Sequence, residues 1–78
     1  MSEPTLERIE DVKPSLKDAQ EKVGGYVELL TLSNGEQMLV DEEGLFKQSP
    51  QVNVPATFLA GRQIVGNALV LAGKARWN

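Results

Sequence analysis

Seventy-eight residues, 41% hydrophobic and 24% charged, describe one folding domain whose core is thin for its surface. The absence of cysteine and histidine excludes disulfides, thiol and imidazole nucleophiles and the usual zinc sites, leaving paired carboxylates as the remaining catalytic chemistry. A net charge of −3 with scattered basic residues argues against direct nucleic-acid binding. No apolar run nears the ~20 residues that span a bilayer, and the acidic Met1-Ser2-Glu3-Pro4 start does not read as a signal peptide.

In chain order, residues 1–13 read as an N-terminal arm or edge strand. Leu6 and Ile9 have a helical spacing, but Thr5, Ile9 and Val12 are β-branched. A helix is predicted over Ser15–Val23. Ser15 is the N-cap with Asp18 three residues on; Leu16, Ala19 and Val23 form an apolar stripe, Lys22 complements the helix dipole, and Gly24-Gly25 stops the helix. Tyr26–Leu32 and Gln37–Asp41 then read as a hairpin about Asn34-Gly35. A two-residue turn pairs Leu30 with Leu39, Leu29 with Val40 and Glu28 with Asp41. That pairing leaves apolar residues on both faces of the ribbon and sets two carboxylates opposite each other. The ribbon is therefore expected to be covered on both sides or to bury one face in a partner.

A second turn, Asp41-Glu42-Glu43-Gly44, leads to a short strand at Leu45-Phe46-Lys47 and an extended connector with Pro50 and Pro55. Pro55 opens a short helix over Ala56–Ala60, stopped by Gly61, and Ile64–Leu71 forms the last strand, with Gly66 as a bulge. Residues 14–73 make the single domain and 74–78 a C-terminal tail. Phe46 and Phe58 are expected in the core, and Tyr26 with its ring inside and its hydroxyl at the rim. The fold class is α+β: an antiparallel sheet of three to four strands with the main helix packed on one face.

Three segments carry a resemblance. Val23-Gly24-Gly25-Tyr26-Val27-Glu28, Leu39-Val40-Asp41-Glu42-Glu43-Gly44 and Ile64-Val65-Gly66-Asn67-Ala68-Leu69-Val70 resemble, in the same order, the motifs of domain-of-unknown-function family 3846. Gln20 matches as well, and Leu45-Phe46-Lys47, Pro50 and Asn53 match approximately. Asp41 departs from the family's usual asparagine and Gln48-Ser49 from its Gly-Leu. The resemblance implies a phage or prophage source and a host-cytoplasmic location, and it implies no reaction.

The acidic group Glu36, Asp41, Glu42 and Glu43 is the most suggestive cluster. It reads either as a patch that enters a basic groove on a partner or as a solvated turn, and its spacing matches no magnesium or calcium loop. A full DNA mimic would carry a larger negative surplus. Arg76 and Trp77 are residue types enriched in interface hot spots, and the alternative for Trp77 is to fold back on the sheet. Glycines 24, 25 and 66 make no phosphate-cradle pattern. The expected function is that of a non-catalytic phage accessory protein, without cofactor or metal. It would bind and inhibit or redirect a host protein, preferably a CRISPR or restriction defence complex, through Glu36, Asp41, Glu42, Glu43, Arg76 and Trp77. One alternative is an oligomeric sponge for a nucleotide signal, which requires basic residues such as Arg62 with Lys47 or Lys74 to converge on one pocket. Another is a homodimeric assembly module.

Overall fold

Ser15 caps the first helix as its side chain predicts. Its Oγ accepts from the Asp18 amide at 3.1 Å, and helix α1 runs over Leu16–Val23. It ends at Gly24, whose φ of 93° only glycine adopts without strain, and the amides of Gly24 and Gly25 both reach the Gln20 carbonyl. Ala19 and Val23 are buried, whereas Leu16, the third member of the expected stripe, is 56% exposed. The computed structural model describes residues 4–43 and 51–77. The expected strand at Leu45-Phe46-Lys47, and Phe46 as a core residue, lie outside the described residues.

Four strands make one sheet in the order β1-β4-β3-β2: β1 Leu6–Ile9, β2 Val27–Thr31, β3 Gln37–Asp41 and β4 Ala68–Leu71. The N-terminal segment is indeed an edge strand. It pairs parallel with β4, from Leu6 opposite Ala68 to Ile9 opposite Leu71, so the sheet is mixed rather than wholly antiparallel. The other two pairs are antiparallel. The central strands show why the last apolar run is continuous. Ala68, Leu69, Val70 and Leu71 are all buried, as are Met38, Leu39 and Val40, because both faces of β4 and β3 are covered.

The hairpin register differs by one residue from the two-residue turn. Leu29 faces Leu39, Glu28 faces Val40 and Val27 faces Asp41. The Leu32 amide donates to the Glu36 carbonyl and the Gly35 amide to the Leu32 carbonyl, which leaves a three-residue loop of Ser33, Asn34 and Gly35. The Asn34 side chain accepts from the Glu36 amide at 3.0 Å, so only Gly35 need take positive φ. The shift also removes the Glu28–Asp41 apposition. It moves Leu30 to the face of Met38 and Val40, and Val27 to that of Leu39.

Each face has its own core. Leu39, Leu69 and Leu71 pack under α1 with Ala19, Val23 and Ala75, flanked by Ile9, Val27 and Trp77. Met38, Val40, Ala68 and Val70 pack on the other face with Leu32, Ala56 and Ile64. That second layer is the segment 51–67, which contains helix α2, Val54–Ala60. Pro55 lies in its first turn and Gly61 (φ 71°) ends it, as expected. The Val52–Val65 bridge and Gly66 interrupt the predicted last strand, so its regular part begins at Ala68.

Asn53 fastens this layer. Only 1% exposed, it makes three hydrogen bonds with its amide: Oδ1 accepts from the Ala56 amide, and Nδ2 donates to the carbonyls of Thr5 and Gly66, each at 2.9 Å. One side chain thus caps α2, holds the turn at Gly66 and ties both to the start of β1.

Phe58 is corrected by α2. It is 82% exposed, not in the core. Ala56 and Ala60 are one turn apart and face the sheet. Phe58 is two residues from each, roughly 200° around the helix, and points away. Tyr26 is also outside, 66% exposed, so its ring does not enter the core.

Candidate functional site

The acidic group that looks continuous in the sequence is divided by β3. Glu36 precedes that strand, Glu42 and Glu43 follow it, and five strand residues at ~3.3 Å each hold them at opposite ends of the sheet. Asp41 is nearly buried. Its Oδ1 accepts from the Glu43 amide at 2.9 Å, and its carboxylate lies under the end of α1, where a Cβ on Gly25 would come within 3.2 Å of it. Its visible work is to shape the turn and seat it against the helix. Glu42 and Glu43 are exposed. Among the described residues, no group of three or more Asp or Glu side chains is placed to hold a metal ion.

Glu36 belongs to a different constellation. Arg8 on β1 meets it with two parallel hydrogen bonds, Nη1 to Oε1 at 2.8 Å and Nη2 to Oε2 at 2.5 Å, while Arg8 Nε reaches Glu10 Oε2 at 3.1 Å. Arg8 chiefly, helped by Asn34 and Arg76, holds the Glu36 carboxyl below the usual carboxylate range, against the opposing effect of desolvation. Glu36 and Glu10 in turn raise the Arg8 guanidinium above its already high value. The pair clamps the hairpin turn to β1.

Arg76 and Trp77 do come together, at the same end of the sheet. After β4 the chain makes a short 3-10 turn, Gly73–Ala75, whose Lys74 amide donates to the Glu10 carbonyl. Gly73 has φ 54°, and a Cβ there would lie 3.2 Å from the Glu10 carbonyl oxygen, so a side chain at this crossing would meet backbone. The chain then folds back. Trp77 packs against the α1-side core, and its indole Nε1 donates to the Pro14 carbonyl at 3.1 Å. The Gln37 amide closes a two-point clasp on the Trp77 backbone: Nε2 to the carbonyl at 2.5 Å, and Oε1 from the amide at 2.6 Å. Trp77 therefore takes the alternative in which it covers the sheet. Arg76 reaches outward to the Gly73 and Gly35 carbonyls.

These residues border an open hollow of ≈ 440 Å³, lined by Lys13, Gln37, Gly73, Lys74, Arg76 and Trp77. Three of its six lining residues are cations and none is a carboxylate. Of the basic pairings weighed in the sequence, Lys74 is here, Arg62 stands elsewhere beside Glu28 at 3.9 Å, and Lys47 lies outside the described residues. Lys13 was not singled out. It reaches the site because the loop 10–15 crosses beneath Trp77.

A second surface lies on α2. Val54 and Phe58 are one turn apart and share its outer face, with Leu59 beside them, all three exposed. The spacing of Ala56 and Ala60 was the available signal: two small residues at i and i+4 allow close approach to the sheet and turn Phe58 outward.

Against family models, residues 1–77 match the one described as Domain of unknown function (DUF3846). No curated protein and no solved structure gives a significant match. No helix among the described residues is long and apolar enough to cross a membrane.

Proposed function

The chain belongs to that family of domains of unknown function, and we propose that it is a non-catalytic binding module whose partner is a protein. The outer face of α2 supports this reading. A chain with two phenylalanines leaves Phe58 82% exposed, on a helix whose inner face is already satisfied by Ala56 and Ala60. Covering such a ring is worth ~1.5–3 kcal/mol, and Val54 and Leu59 extend the apolar surface around it. In the specific form of the proposal, a phage-encoded protein binds and inhibits or redirects a host protein in the host cytoplasm, preferably a CRISPR or restriction complex. Glu42 and Glu43 remain exposed for polar contacts with that partner.

The test compares wild type with Phe58→Asp. Wild-type protein should capture a bacterial protein that, once identified and purified, binds it at fixed stoichiometry. Phe58→Asp should weaken that binding at least ~10-fold while the melting temperature and circular dichroism stay the same. A variant that binds the purified partner as wild type does would remove α2 from the interface. Reversing the charges of Glu42 and Glu43 separates the acidic turn in the same assay. Loss of a concentration-dependent dimer in Phe58→Asp, seen by sedimentation, would instead make the partner a second copy.

A further inference from the structure

The hollow beneath the C-terminal turn is lined by three cations and no carboxylate. Arg8, Lys22 and Arg62 are matched by Glu36 and Glu10, by Glu7, and by Glu28 respectively. Four cations, Lys13, Lys17, Lys74 and Arg76, have no ion-pair partner within 4.0 Å among the described residues, and all but Lys17 border one ≈ 440 Å³ concavity. In a protein of net charge −3 this is a segregation of charge, not a reflection of composition. The nearby carboxylate best placed to quench it, Glu36, is bound by both of its oxygens to Arg8.

From this we propose that the hollow is a binding site for a phosphate-bearing small molecule. A concave wall lined by charges of one sign focuses its field on the space it encloses, and this volume falls within the ~300–1,000 Å³ of small-ligand sites. The walls are preorganised. The Gln37 clasp fixes the Trp77 backbone, Pro14 holds its indole, Glu10 holds the Lys74 amide, and the Gly73 carbonyl steadies the Arg76 guanidinium. The lysines supply mobile point charges, and the arginine a planar fork suited to phosphate oxygens. The site stands apart from the outer face of α2, on the other side of the sheet, and does not depend on the protein-binding proposal.

Trp77 is the only tryptophan, so its fluorescence reports on this site alone. Titration with pyrophosphate, at ionic strength held constant with chloride, should give a saturable change. Lys74→Gln and Lys13→Gln should each weaken it ~10-fold, as should Arg76→Gln, while Lys17→Gln on the exposed side of α1 should leave it unchanged. Circular dichroism checks that each variant is folded. An ADP titration matching pyrophosphate would assign the site to the diphosphate alone, and tighter ADP binding would assign a nucleotide; either supports the proposal. A linear, unsaturable response overturns it. So does equal binding of sulfate, or lysine variants that titrate like wild type.

Discussion

The two faces of the sheet are closed by different means. Under α1 the cover is apolar and continuous. Ala19 and Val23 press on Leu39, Leu69 and Leu71, and Trp77 folds in from the far end of the chain to complete the layer. On the opposite face α2 contributes only small inward residues, Ala56 and Ala60, and its layer is fastened by one buried polar side chain. A face sealed by hydrophobic area tolerates local adjustment. A face pinned by a hydrogen-bond hub does not, because removing the hub strips the Ala56 amide and the Gly66 carbonyl of their side-chain partner.

That contrast ranks three experiments. Asn53→Ala should have the largest effect, since it removes the α2 cap and the donor to the Gly66 carbonyl, although the Thr5 carbonyl keeps its bond from the Ala68 amide. The expected loss is ~2–4 kcal/mol in denaturant unfolding, with amide exchange accelerated first in 51–67. A change under 1 kcal/mol would show that water or a neighbour replaces the amide and that the two faces are fastened alike. Trp77→Ala should come next. It deletes a half-buried ring from the α1 side together with the indole bond to the Pro14 carbonyl, at a cost of ~2 kcal/mol, about half that of a fully buried tryptophan, read from the melting temperature. Equal stability would show that the C-terminal turn is not part of the core.

The smallest effect should come from acid. Arg8 lowers the Glu36 carboxyl in the folded state, so their pairing adds stability that is fully present above the unfolded carboxylate range of ~4.3 and is lost as pH falls through the lower folded value. Wild type should therefore exceed Glu36→Gln by a constant margin above pH ~5.5, and the margin should close in stronger acid. A margin independent of pH would mean that Glu36 acts by packing alone.

What the sequence made legible follows the range of the interactions. Helix α1 could be read almost residue by residue, because Ser15, Asp18, Lys22 and Gly24 act within one or two turns of each other. The limits of α2 were readable from Pro55 and Gly61 for the same reason. The hairpin turn was found but its register was missed. Asn34-Gly35 fits a two-residue turn equally well, and the three-residue loop goes with an Asn34 side-chain bond and with the packing of Leu30 beside Met38 and of Val27 beside Leu39. Phe58 was misplaced because hydrophobicity argues for burial while helix phase decides it.

The candidate site was the least legible part. Arg76 and Trp77 were picked for their chemistry, yet nothing near them in the sequence shows that Lys13 and Pro14 would meet them. The acidic group failed in the opposite direction, since neighbours in sequence were pushed apart by an extended strand.

The parallel pairing of β1 with β4 has a consequence for how the protein is made. Thr5 and Asn67, which join the starts of these two strands, are separated by 62 positions. During synthesis β1 leaves the ribosome first but has no strand to pair with until β4 has followed it out. The α1 helix and the β2–β3 hairpin can form earlier from local contacts, whereas closure of the sheet is a late and cooperative event. A chain ending before Ala68 would therefore keep its N-terminal strand unpaired and both hydrophobic layers incomplete.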